Sequence, residues 1–324
     1  MRTSSARAYS VWLTAVGVYF LAVFHRSSLG VAGITAAERF HISASQLSTF
    51  TVLQLLVYAG MQVPVGVLLD RFGPQRLLLA GATLMSLAQL GFALTGSYSG
   101  ALVARVFVGM GDAMVFISVL RVIASWFPPM RNPLLTQVTG LMGQAGSLVA
   151  AIPLAASLSR FGWTPTFTVS AGLGVLLGLL VVLVVRDVPR GAPPVRQAKD
   201  LRTVGRELAL AWKDPGIRLG LWAHFTAQFS ANVMGLLWGY PFFLHAEHTG
   251  KATAGLLLSL FVVTAMVSGP VIGGYIARRP WHRSTLVLGI VLAVLTVLVA
   301  AVVALFFLPP LDILLDKILL AIGL

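Results

Sequence analysis

The sequence predicts an all-α, polytopic membrane helix bundle. Three observations carry that prediction. Hydrophobic residues make up 57% of the 324 positions and charged residues only 10%, against roughly 25% charged in a soluble domain. A soluble chain of this length could not cover its surface with so few charges, and the mean hydropathy of +0.89 agrees. Nine apolar runs are each long enough to cross a hydrocarbon core, which takes about 20 residues of helix. The basic residues, which give a net charge of +13, gather in the short segments between those runs, where membrane topology is encoded.

The runs are Tyr9–Ile34, Leu47–Leu69, Leu77–Thr95, Ala101–Phe127, Leu134–Leu158, Trp163–Val185, Ile217–Leu244, Thr253–Ile276 and Ser284–Leu308. Strands of a membrane barrel would be about half as long and would alternate in polarity; these do not. The first run is too long for a signal-peptide core and lacks a small-residue cleavage site, so it reads as the first span. Six runs precede a polar linker and three follow it. That divides the chain into an N-terminal six-helix bundle (residues 1–186), a cytoplasmic linker (187–216) and a partial C-terminal bundle (217–324). In the linker, Asp200 to Trp212 reads either as an amphipathic helix at the inner surface or as a solvated charged connector. After Pro309 and Pro310, a short segment with Asp312, Asp316 and Lys317 reads as half of a tenth helix or an interfacial helix.

Orientation follows from the cations. With the N-terminus in the cytoplasm, the inner side holds Arg2, Arg7, Arg71, Arg76, Arg131, the linker cations, Arg278, Arg279 and Arg283. The outer side then holds only Arg39, Arg160, Lys251 and Lys317. This asymmetry predicts a multi-pass protein of a bacterial-type plasma membrane, N-terminus inside. Scattered cations of this kind form no nucleic-acid stripe. With no cysteine in the chain there is no disulfide framework and no thiolate metal site. His245 and His248 beside Glu247 make a poor metal site, and no metal or cofactor is expected. No phosphate-cradling loop, H-E-x-x-H or G-x-S-x-G pattern occurs, so neither ATP hydrolysis nor another enzymatic reaction is expected.

The most informative local pattern joins the second and third runs: Gly66, Asp70, Arg71, Gly73, Pro74 and Arg76. Gly66 is expected to let a neighbouring helix approach, and Gly73-Pro74 to make the turn. This stretch resembles the loop between the second and third helices of the major facilitator superfamily. A weaker copy, Gly274 to Arg279 followed by Arg283, puts Arg278 where the first copy has Asp70. Arg105, Gly109 and Gly111 resemble the superfamily's fourth-helix R-x-x-x-G-x-G motif. His25-Arg26-Ser27-Ser28 resembles the first helix of its organophosphate and anion:cation symporter families, with His25 in place of an aspartate. The second and eighth runs lack the internal arginines of nitrate porters, which argues against nitrate.

The resemblance implies an incomplete twelve-helix fold, with a six-helix N-terminal half and a C-terminal half covered by three helices. It also implies secondary transport by alternating access, driven by a proton or ion gradient. Charges inside spans are expensive and usually face the bundle interior. Arg26 lies about 24 Å above the inner face, counted at about 1.5 Å per residue, and Arg105 at a similar height. The resemblance puts the first and fourth helices on the central cavity. Arg26 and Arg105 are therefore expected to attract an anionic substrate group, with Asp112, two turns below Arg105, balancing charge or carrying a proton. The competing reading is a buried Arg–Asp brace between two helices. Arg121, near the level of Asp70, is expected to brace an inner gate. His224, Gln228 and Asn232 recur every four residues as one polar stripe, which reads equally as cavity lining or as interhelical glue. Expected partners are the lipid bilayer, a small solute (an organic anion) and a coupling proton, plus a complementing chain if the short chain is real. Multidrug efflux on the same fold, or a non-transporting remnant or half-assembly, are the alternatives.

Overall fold

The computed structural model describes residues 5–189, 201–246, 250, 253–261 and 263–264, and every regular element among them is a helix. The chain forms two compact units, Met1–Thr203 and Val204–Leu324. The second apolar motif (Gly274, Arg278, Arg279, Arg283), the ninth run, the terminal segment, most of the eighth run, Glu247 and His248 lie outside the described residues.

In the first unit the helices are α1 (Ser5–Phe40), α2 (Ala44–Gly60), α3 (Gln62–Leu94), α4 (Tyr98–Trp126), α5 (Asn132–Ala151), α6 (Pro153–Phe161) and α7 (Trp163–Val184). Among the described residues five helical stretches are long and apolar enough to span a membrane: Ala6–Phe40, Gln62–Leu94, Tyr98–Trp126, Pro129–Phe161 and Trp163–Val184. α3 is itself a hairpin. Gly73 sits at φ +79°, a left-handed conformation that glycine adopts without the Cβ clash. The chain reverses there, so Phe50 on α2 meets Phe92 near the far end of α3, with ring centroids 6.2 Å apart. Residues 62–72 therefore continue the α2 crossing, and 74–94 form the next one.

α2 begins where the sequence supplies a capping box. The Ser43 N–H donates to Gln46 Oε1 at 2.9 Å, and the Gln46 N–H donates back to Ser43 Oγ at 3.3 Å, satisfying two otherwise orphaned donors. The fifth run is not one helix: α5 stops at Ala151 and α6 restarts at Pro153, because proline has no N–H to continue the ladder.

Among the described residues the two larger hydrophobic cores stack along the bundle. One, towards the Gly73 end, is mostly aliphatic with an aromatic rim, and includes Val11, Trp12, Val119, Ile123, Phe127 and Val181. The other, towards Thr95, is aromatic: Phe40, Phe50, Phe92, Trp163 and Phe167. α1 runs through both, and its charged segment lies where they meet.

In the second unit, α8 (Leu201–Lys213) occupies most of the linker segment for which the sequence allowed two readings. One residue, Asp214, separates it from α9 (Pro215–Asn232), whose first turn it caps by accepting from Gly216 N–H at 2.7 Å. The seventh run is not α-helical throughout. After Asn232 it loosens to π-type winding at Val233–Trp238 and again at Phe242–Ala246.

Candidate functional site

The middle of the first unit holds charged groups from α1 and α4. Arg26 Nε donates to Asp112 Oδ2 at 2.8 Å, and its Nη2 donates to Oδ1 at 2.8 Å. This fork-to-fork pairing is the strongest geometry available to a guanidinium and a carboxylate. Asp112 is 1% exposed, whereas the Arg26 side chain keeps 18% of its surface open. Tyr58 of α2 supports the guanidinium from one face, its ring centroid 4.7 Å from the Arg26 Cζ. Tyr19 stacks against Phe116 at 5.0 Å a little farther along the same helices. Next in sequence, Ser27 Oγ and Ser147 Oγ share a hydrogen bond of 2.8 Å that ties α1 to α5.

Arg105 lies apart from this opening. It is fully buried, gives one N–H to the His25 carbonyl at 3.3 Å, and stacks over Phe92 with 3.7 Å to the ring centroid. Its Nε and Nη2 have no hydrogen-bond partner among the described residues. Arg26 and Arg105 thus both engage neighbouring residues of one turn of α1 but about two turns apart on α4, and only Arg26 reaches open surface. On α9, His224 is exposed; the side chains of Gln228 and Asn232 lie outside the described residues.

The glycines of the fourth-helix motif hold α4 in place. A Cβ on Gly109 would come within 2.5 Å of the Gln54 carbonyl oxygen on α2. One on Gly111 would meet Met85 at 2.7 Å and the Gly81 carbonyl at 2.8 Å on α3. Residues two apart on a helix point about 200° apart, so this single turn lets α4 touch two different neighbours closely. The contact fixes the height of Asp112, one residue farther on.

At the Gly73 end, Asp70 and Arg121 form an ion pair, each side chain about one-third exposed. Arg71 and Arg76 point to the surface, Arg71 beside the Phe72 ring. The close approach expected at Gly66 does not occur among the described residues, since nothing lies within 4 Å of where its Cβ would be. Asp187, just beyond α7, completes this end: its Oδ1 accepts the Gln75 N–H at 2.7 Å, capping the helix that restarts after Gly73. A Cβ on Gly73 would collide with that carboxylate at 2.5–2.8 Å. Sequence reasoning counted Asp187 as linker, and no local signal tied it to the restart at Pro74-Gln75, 112 residues away.

Residues 15–324 match the family model described as Major Facilitator Superfamily. The chain is 23% identical over 276 residues to a probable sulfoacetate transporter, SauU, of Cupriavidus necator, a match covering 82% of this chain and 64% of that protein. It is 29% identical over 235 residues to the methyl viologen resistance protein SmvA of Salmonella typhimurium, covering 69% of this chain and 47% of the relative. The fold matches that of a bacterial homologue of the human lysosomal transporter Spinster, in its inward-facing, unoccupied conformation. That match has a TM-score of 0.67 and 19% identity, over 87% of this chain and 64% of the other. The chain thus spans less than two thirds of the length of either curated relative.

Proposed function

The chain belongs to the major facilitator superfamily, and on that premise we propose that it moves a small organic anion across the plasma membrane by alternating access coupled to a proton. The observation that carries this reading is the bidentate Arg26–Asp112 pair, with Arg26 still partly open. A carboxylate or sulfonate offers two oxygens in the same geometry as Asp112, and so competes with it for the guanidinium. Asp112 released into an apolar span is an uncompensated charge, which a proton neutralises.

Charge counting makes the coupling strict. The empty site holds one cation and one carboxylate and is neutral. The loaded site, with the anion on Arg26 and a proton on Asp112, is also neutral. Anion without proton leaves one net negative charge, and proton without anion leaves one net positive charge. Either would be costly to carry through a low-dielectric bundle. Only the empty and the doubly loaded forms reorient cheaply, which is proton symport. The likeness to a probable sulfoacetate transporter supports the anion class.

Several further assignments belong to the same proposal. Arg105 acts behind α1 rather than on the substrate. His224, Gln228 and Asn232 contribute further contacts from α9. Residues 1–186 and 217–324 are the two halves that rock, with 187–216 between them. The Gly73 end faces the cytoplasm, where Asp70–Arg121 latches the inner side.

The test is uptake of small sulfonates and carboxylates into proteoliposomes of the native protein under an imposed proton gradient. Arg26→Gln is expected to abolish uptake. Asp112→Asn is expected to abolish proton-driven accumulation. Wild-type rates in both variants would sink the reading. The likeness to a methyl viologen resistance protein, with Tyr19, Tyr58 and Phe116 near Arg26, favours efflux of lipophilic cations as the second reading. Proton-driven methyl viologen extrusion without anion uptake would select it.

A further inference from the structure

We propose that the groove between α3 and α4 near Thr95 holds one phospholipid, with an acyl chain along its floor and its phosphate on Arg39. The groove encloses about 420 Å³. Its floor is made of small residues, Ala88 and Gly91 on α3 and Gly100 and Ala104 on α4. Its walls are large ones, with Leu87 at 63%, Val103 at 55% and Phe107 at 41% exposure. On α3 the lining positions 84, 87, 88 and 91 form one helical face, and Thr95 follows just past the helix end.

Length and polarity both fit a lipid chain. From Leu84 to Thr95 the groove runs about 16 Å at about 1.5 Å per residue, which is half of a hydrocarbon core about 30 Å thick. It therefore extends from the surface to the bilayer midplane, the depth of a single leaflet. The lining is apolar except for Thr95, at the surface end.

At that end stands a cation that pairs with no acid among the described residues. Arg39 Nη2 donates to the Thr95 carbonyl at 3.1 Å, and the guanidinium stacks near Trp163 at 5.6 Å and Phe40 at 5.8 Å. Its Nε is buried with no hydrogen-bond partner, and neither ion pair among the described residues includes it. The side chain as a whole is only half-buried, and its remaining guanidinium edge is a donor suited to a phosphate oxygen. An apolar trough ending in an unneutralised guanidinium at the headgroup level matches a molecule with an alkyl tail and an anionic head. Arg26 and Asp112 do not line this groove, so the site is independent of the transport reading.

Native mass spectrometry of the whole protein, purified in a mild detergent from phosphatidylglycerol-containing membranes, tests the assignment. Wild type is expected to retain one phospholipid. Arg39→Gln should lower that retention about ten-fold, the loss expected of one charge-assisted contact. Gly91→Phe fills the trough and should lower it as far. A Cβ at Gly91 meets nothing within 4 Å, so a side chain there does not threaten the fold, and thermal unfolding checks this. Arg160→Gln, which alters another cation at the same end, should retain the lipid. The proposal is overturned by absence of bound lipid in wild type, by retention in either the Arg39 or the Gly91 variant, or by equal loss in all three. Dimer peaks that vanish in Gly91→Phe would put a second copy of the chain on this face, and would overturn it as well.

Discussion

Two ion pairs tie α4 to its neighbours, and they sit in opposite surroundings. Arg26–Asp112 lies where the two cores meet, is bidentate, and buries its carboxylate almost completely. Arg121–Asp70 lies at the Gly73 end, with a single contact and both side chains about one-third exposed. The chemistry is the same, arginine to aspartate, but the energetics differ. A buried charge has no water to fall back on, so removing its partner costs about 3–5 kcal/mol. A partly exposed pair is re-solvated when broken and contributes about 0–1 kcal/mol. The pair at the Gly73 end therefore suits the proposed latch, which would open and close with little cost. The central pair suits an exchange, because Asp112 can leave Arg26 only when something else compensates both.

The largest expected effect follows directly. Asp112→Leu should destabilise the purified protein by about 3–5 kcal/mol, since it strands Arg26 in the bundle. Arg26→Met combined with Asp112→Leu should recover most of that loss, because an apolar pair of similar volume replaces the ion pair. A thermal-unfolding double-mutant cycle reads both. Additive losses would mean that the two side chains are not coupled, and would remove the ground for treating them as one site. The double variant should still be inactive in uptake, which separates the stability of the bundle from its function.

A smaller effect is expected one turn away, where packing rather than charge holds Asp112 in register. Gly109→Ala places a methyl group 2.5 Å from the Gln54 carbonyl oxygen. Backbone cannot move aside as a flexible side chain can, so overpacking of about 1–3 kcal/mol is expected. Gly66→Ala, in the other glycine motif, meets nothing among the described residues and should be neutral or slightly stabilising, as alanine is the better helix former. Comparing unfolding temperatures of the two variants tests whether the fourth-helix glycines are the ones that set helix spacing. Equal effects would contradict it.

These contrasts also mark what was legible in the sequence. Apolar run length and the Gly73-Pro74 turn point to a helical bundle with a hairpin at the second and third crossings, because span length and turn chemistry are local properties. Arg26, Asp112, Asp70 and Arg121 stand out as charges in or beside apolar runs, and their heights along the helices narrow their partners. Arg105 shows the limit. By height, and by the cavity wall the resemblance implies, it looks equivalent to Arg26, and only tertiary packing, which sets it over Phe92 and under the His25 carbonyl, separates a buried arginine from an open one. Tyr58 carried no signal, since a tyrosine in a span is ordinary until an arginine is found on its face. Asp187 was hidden by distance, because its partner Gln75 is 112 residues away.

The smallest effect is the sharpest test of the comparison. Asp70→Asn should change stability by less than about 1 kcal/mol, and the change should fade as salt rises from about 0.1 M to 1 M, where the screening length falls from about 10 Å to 3 Å. The loss in Asp112→Leu should persist over the same range, because a pair whose carboxylate is only 1% exposed is screened far less by ions in bulk water. Unfolding of both variants and wild type at the two salt concentrations measures it. A salt-independent loss in Asp70→Asn would mean that this pair, too, is desolvated in the native protein. The Gly73 end would then be a rigid brace rather than a latch. A salt-dependent loss in Asp112→Leu would instead mean that water and ions reach Arg26 freely, and that charge neutrality at the central pair cannot be what enforces coupling.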